Sequence, residues 1–445
     1  MTSEVLIMNS QAIALAADSA VTANVGGSQK IFTSANKIFA LSRFHPVGIM
    51  NFGNSHFMGI PIETIIKTYR KKLGKKSFES IEGYANDFFQ YLETLSDIID
   101  EDAQRSLFDA FSKGFLKTIV NDILTKIDSM IKENGNIHYD KIIAVGNDVL
   151  TEHHKGIMAA PLFPSIPNDF AEILAKMYYD NIEKNINEKF EKFPLSDESK
   201  LKVKEIVNNI FVRDYVHPSS DIALGIVIAG FGEKELFPSY REFIVSGMIG
   251  NRIIYRKNRQ AGPISTMHAF VSSFAQGEMV HMFMEGVDEE YQRKLENDLY
   301  SLSNALLNKS LDTLGFVDKN QRDSILATLR KNGELIITEF KKNLSDFRRT
   351  RYTNPVTNAV IILPKEELAI LAESLVNLTS LKRKVSINQK ETVGGPIDVA
   401  LISKGDGFIW IKRKYYFDRN LNPHFDRYHL IENEKEDKHG REEDI

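Results

Sequence analysis

The order of apolar patterns along the chain predicts an α+β protein in which two sheets carry helices packed outside them. Three observations point there. Strand-length apolar runs separated by polar turns open the sequence, long stretches with helical apolar spacing follow and recur, and a strand pair flanking Gly405-Asp406-Gly407 closes it.

Residues 4–8 (EVLIM) and 12–17 (AIALAA) are apolar runs joined by Asn9-Ser10-Gln11, which reads as a buried hairpin. A second strand pair is expected at 37–41 (KIFAL) and 47–52 (VGIMNF). Apolar residues then recur at helical spacing from Ile60 to Leu73 and from Phe78 to Ile99. Residues 1–103 thus form a first block, and 104–215 form a helical one, with amphipathic stretches broken near Gly135, Gly146 and PLFPSIP. Strands return in the block 216–287, at 222–230, 242–249 and 252–257, followed by the apolar stretch 266–285. A second helical block is expected over 288–364, then a core helix at 365–383 and the closing hairpin within 365–420. The tail 421–445 is rich in charge and is expected to be partly disordered.

Composition narrows the function classes. The chain has 445 residues, 42% of them hydrophobic, and a net charge of -4, so no global positive field recruits nucleic acid or acidic lipid. With no cysteine, disulfides, thiolate metal sites and a cysteine nucleophile are excluded. Glu4 interrupts the first apolar run, no basic segment precedes it, and no run approaches eighteen apolar residues. The expectation is a cytoplasmic protein with no signal peptide and no membrane span.

The opening residues carry a more specific signal. Thr2 follows the initiator methionine, a strand and a turn follow it, and a second strand ends in Ala17-Asp18-Ser19, with Asp18 sixteen residues beyond Thr2. This pattern resembles a proteasome β subunit and the related bacterial proteasome-type proteases. The resemblance implies the fold of N-terminal nucleophile hydrolases, a four-layer αββα sandwich, with the two helical blocks as insertions. It implies that Thr2, exposed by removal of Met1, is the nucleophile, that Asp18 supports it, and that the lysine beginning KIFAL, Lys37, is the catalytic lysine, with Lys30 as rival. Gly53, at the end of the next strand, is the implied oxyanion donor. Thr22 falls where substrate backbone is bound, and Asn51 and Ser55 fall where a specificity pocket is formed, so acidic or small polar side chains are the expected substrates. Toward the far end, KETVGGPIDVALISK places Gly394 in the family's glycine pair, while Glu391 or Thr392 stands in for a supporting residue. Gln276 occupies the place of another.

Those residue types belong together chemically. A threonine hydroxyl needs a base, and the α-amine of the same residue, with a pKa near ~8, supplies one at neutral pH. A nearby ammonium lowers that pKa further, an aspartate holds the lysine, and a backbone N–H stabilises the oxyanion by about 3 kcal/mol. The implied activity is a threonine-type peptidase acting through an acyl-enzyme ester, without cofactor or metal, on peptide or protein substrates. Relatives form rings, so self-association is implied, with an ATPase or other regulator as a candidate partner and neither nucleic acid nor membrane. Two alternatives stay open: an inactive assembly or regulatory subunit of the same fold, and a small-molecule amidase.

Other constellations read as structural. His153-His154 lacks a glutamate at metalloprotease spacing, His268 and His281 stand on apolar segments, and Asp288-Glu289-Glu290 opens a helix whose dipole it suits.

Overall fold

Asn9 shows how the first hairpin is made. Its side-chain oxygen accepts the N–H groups of Gln11 and Ala12 at 3.0 and 3.4 Å, closing the turn between β1 (Ser3–Met8) and β2 (Ala12–Ala17). The computed structural model describes residues 3–25, 28–164, 166–191, 193, 195–215, 223–314, 319–386 and 393–424. They form a mixed α+β chain with antiparallel strand pairing, divided into two compact units. One comprises Met1–Ile38, Leu236–Pro238 and Gly262–Ile445; the other comprises Phe39–Glu235 and Ser239–Ala261.

The first unit is built on a sheet in the order β12-β1-β2-β13-β14, where β12 is Phe270–Ala275, β13 Asp398–Ser403 and β14 Gly407–Lys412. Every residue of β1, β2 and β13 is buried, so both faces of these central strands are covered. On one face Val5, Ile7, Ala14, Ala16 and Val399 pack with Leu368, Ala372, Leu375 and Val376 of a helix at Lys365–Val385. The alanines matter here, since their small side chains let a helix approach the sheet closely. A small two-stranded sheet pairs β3 (Val21–Val25) with β4 (Ser28–Phe32). Further helices span Glu278–Glu285, Glu289–Leu314, Lys319–Arg348 and Asn354–Ile362.

The second unit has a sheet in the order β11-β10-β9-β6-β5, with β5 at Ile38–Ala40, β6 at Val47–Gly53, β9 at Leu224–Gly230, β10 at Ser239–Ile249 and β11 at Arg252–Ala261. Two short strands, β7 (His56–Phe57) and β8 (Ile60–Pro61), pair beyond β6. Helices α1 (Ile62–Leu73) and α2 (Ile81–Glu93) bury Ile66, Tyr69, Phe88 and Phe89 against Ile49, Ile228 and Phe243 of the sheet. Ser80 caps α2 by accepting the Gly83 N–H, which is why that helix starts after Phe78. Five helices follow: α3 (Glu101–Asn134), α4 (Tyr139–Ala159), α5 (Phe170–Met177), α6 (Tyr179–Lys189) and α7 (Asp197–Asn209). They enclose a second core around Phe108, Tyr178 and Phe211, whose rings stack.

No helix among the described residues is long and apolar enough to cross a membrane. The tail expected beyond residue 421 lies outside the described residues from 425 onward.

Candidate active site

Register brings Asp18 to the start of the chain. Glu4 of β1 lies opposite Ala17 of β2, and the next pair outward joins Ser3 to Asp18, whose N–H donates to the Ser3 carbonyl at 3.1 Å. The Asp18 carboxylate returns the contact, with Oδ1 accepting the Ser3 N–H at 3.0 Å. The same oxygen accepts from Lys37 Nζ at 2.6 Å, while Oδ2 accepts the N–H groups of Ala20 at 3.2 Å and Gly394 at 2.9 Å. Asp18 is 1% exposed and Lys37 4%. Removing two charges from water is costly, and the loss is offset only where the remaining lone pairs also find donors. Four donors on one carboxylate meet that requirement.

The chain is held there by local contacts on either side. The Ser19 carbonyl accepts the Ala35 N–H at 3.1 Å, which sets the segment leading into β5, and so Lys37, beside Asp18. Ser19 N–H donates to the Gly394 carbonyl at 3.2 Å, and its hydroxyl donates to the Pro396 carbonyl. Gly395 takes φ +81°, and a Cβ on it would stand 2.8 Å from Thr33 Cβ. Glycine is needed at that crossing for both backbone and space. Of the two lysines weighed from sequence, Lys37 meets Asp18, whereas Lys30 is exposed on β4.

Glu4 is a component of this neighbourhood that the sequence reading did not use. It is fully buried, and neither carboxyl oxygen has a hydrogen-bond partner among the described residues. Burial pushes its carboxyl well above the ordinary carboxylate range; the Lys37 charge pulls the other way and the Asp18 charge adds to the rise. The signal was one acidic residue inside an otherwise apolar strand.

The remaining residues are placed as follows. Thr2, Glu391 and Thr392 lie outside the described residues. Thr22 is on β3, opposite Ile31. Gln276 is buried and follows Ala275, which pairs with Ser3 across the sheet and takes φ +60°. In the second unit Gly53 ends β6, exposed and with φ +74°. Asn51, two residues earlier, is 4% exposed, and its amide oxygen accepts no hydrogen bond among the described residues. The Ser55 hydroxyl is spent on His56 Nδ1 at 3.0 Å.

Among the described residues no cluster of three or more histidine, aspartate or glutamate side chains is placed to hold a metal ion. His153 meets Asp122 at 3.0 Å and His154 meets Glu205 at 2.6 Å, tying α4 to its neighbours α3 and α7. Asp288 accepts the N–H groups of Glu290 and Tyr291, a helix cap. No family model matches the chain, and no curated protein matches it significantly.

Proposed function

We propose that this protein is a threonine-type amide hydrolase acting on peptides, with Thr2 as nucleophile. The observation that carries the reading is the buried Asp18–Lys37 pair, one of whose carboxylate oxygens is also hydrogen-bonded to the N–H of Ser3. Thr2 is one peptide bond from that nitrogen. In this reading Met1 is removed, and the freed α-amine takes the hydroxyl proton as Oγ attacks the substrate carbonyl. The Lys37 ammonium lowers the proton affinity of that amine and stabilises the negative charge that develops, while Asp18 holds Lys37 and fixes the first strand. Gly53 N–H is assigned to the oxyanion, and the amine returns the proton to the leaving nitrogen. Water then hydrolyses the acyl ester. Each unit contains one five-stranded sheet with helices packed on it, and the αββα sandwich is part of the proposed reading. Assembly into a ring and control by a regulator belong to the same reading.

Intact mass of the purified protein, with and without a β-lactone or epoxyketone probe and beside a Thr2→Ala control, tests it. The expected result is loss of Met1 and one adduct that the control lacks. A retained methionine with no adduct overturns the reading.

A further inference from the structure

We infer that the long helical hairpin of the first unit pairs copies of this chain: its apolar flank packs on the same flank of a second copy, and the four helices form a bundle. The hairpin lies within 288–364, a block read as an insertion in the resembled fold, and its use does not depend on the hydrolase reading.

The helices Glu289–Leu314 and Lys319–Arg348 run antiparallel, as their ion pairs show. Arg322 meets Asp312 at 2.5 Å toward the tip, Lys341 meets Glu296 at 2.8 Å further down, and Arg348 meets Glu285 at 3.6 Å at the base. Lys341 also stands over the Tyr300 ring. The seam buries Leu311, Leu326 and Ile337, and a Cβ on Gly333 would lie 3.1 Å from Ser303 Oγ and 3.8 Å from Leu307 Cδ1.

The two flanks of that seam differ in chemistry. One position ahead of Glu296, Tyr300, Ser303 and Leu307, the first helix carries four leucines: Leu295, Leu299, Leu302 and Leu306. The second carries Ile336, Phe340 and Phe347 one position ahead of Ile337, Lys341 and Arg348. In an antiparallel pair, positions one step ahead of the seam on each helix fall on the same side. A groove of about 210 Å³ is accordingly lined by Leu295 and Leu299 of the first helix and by Phe340, Leu344 and Phe347 of the second. One position behind the seam stand Asn297, Ser301 and Asn304, with Glu334, Thr338 and Lys342 across from them, all exposed. One flank is thus polar throughout those turns and the other apolar.

Leu302, Leu306 and Ile336 are each more than half exposed, so the apolar flank continues beyond the groove toward the tip. A contiguous apolar patch on an otherwise polar element marks a surface that another molecule covers. Its dimensions select the partner. The 26 residues of the first helix are about 39 Å long and two helices side by side about 20 Å wide, a footprint on the order of 800 Å². That is about the area each partner contributes to a stable interface. A partner must match the flank in length and span both helices, and the same hairpin of a second copy does both while presenting the same apolar residues. Two such hairpins face to face give every helix the neighbours it has in a four-helix bundle, and a twofold contact of this kind closes on itself.

Sedimentation equilibrium of the full chain over the micromolar range tests this. Leu306→Glu with Ile336→Glu puts charge on the apolar flank, and Asn304→Glu with Ser345→Glu puts the same charge on the polar one. Wild type and the polar-flank variant are expected to associate, and the apolar-flank variant to show half their mass. Circular dichroism checks that the helices persist. Should the apolar-flank variant lose them, hydrogen exchange on wild type decides, since amides of the two helices should slow about tenfold from dilute to concentrated samples. A monomeric wild type, a mass untouched by the apolar-flank pair, an equal loss from the polar-flank pair, or exchange independent of concentration overturns the inference. A monomer that instead cosediments with phosphatidylcholine vesicles assigns the flank to a lipid surface and overturns it as well.

Discussion

At the scale of single residues, the Asp18–Lys37 pair separates stability from chemistry. Removing one member of a buried pair strands the other, so Lys37→Ala should cost about 3–5 kcal/mol in urea unfolding. The neutral pair Asp18→Asn with Lys37→Met should regain much of that stability. It should not regain peptide hydrolysis, because the ammonium that the proposed mechanism uses is gone. Recovery of turnover in the double variant would reject the role given to Lys37.

Glu4 makes a prediction of opposite sign to the usual carboxylate. Its folded pKa is raised, so between the unfolded value near ~4.3 and the folded one the native state holds a proton that the unfolded chain has released. Stability contributed by this group is present below that window and is lost as pH rises through it. Glu4→Gln keeps the shape and removes the titration. Its melting temperature should exceed that of wild type by a margin that grows as pH rises above the unfolded value and levels off once the folded group has ionised, each pH unit within that window being worth up to about 1.36 kcal/mol. A pH-independent difference would show that Glu4 does not titrate this way.

Residue patterns revealed part of this arrangement and hid part. Asp18 could be found because a tight hairpin fixes the register between Ser3 and the end of β2. The choice between Lys37 and Lys30 could not be made, because it depends on the Ala35–Ser19 contact that steers the intervening chain. Glu4 was visible as a letter and silent as a group, since its role is set by burial on both sides of the strand.

Among elements, the crossing at Gly394–Gly395 is where local conformation and site geometry meet. Gly395→Ala brings a Cβ against Thr33 at a left-handed φ, and should cost about 1–3 kcal/mol while weakening the neighbouring Gly394 contact to Asp18. Gly405→Ala, in the closing hairpin with no heavy atom within 4 Å of the added carbon, should lie within about 0.5 kcal/mol of wild type. Similar losses from both, measured by denaturant unfolding, would contradict the crossing's special status.

The strongly periodic elements were legible: the first hairpin, the helix after Ile62, the strands about 224–261 and the last hairpin. The stretch 266–285 was not divided from its pattern, although β12 turns into a helix at Ala275-Gln276-Gly277, where the glycine caps the helix. The pair β3–β4 escaped notice as well; VTANV and SQKIF are short, mix apolar and polar residues, and leave Ile31 and Phe32 exposed.

Across the whole molecule, the two compact units cut across the blocks read from the sequence, residues 1–103 contributing to both. A nearly continuous stretch from Phe39 to Ala261 makes one unit, and the residues before and after it make the other. Local patterns reveal helices and strands but not this nesting, which is a property of pairing over long separations. β1 lies between β2, its neighbour in sequence, and β12, more than 250 residues away.

The contact between Asp18 and Gly394 spans 376 residues. During synthesis Asp18 and Lys37 leave the ribosome long before the donor that completes the carboxylate's shell. A nascent or prematurely terminated chain therefore carries the charged pair without the residues that hold it in place. Under the proposed peptidase reading, such an ordering would act as a timer: the capacity to cut would arrive only once the Gly394 segment has been made.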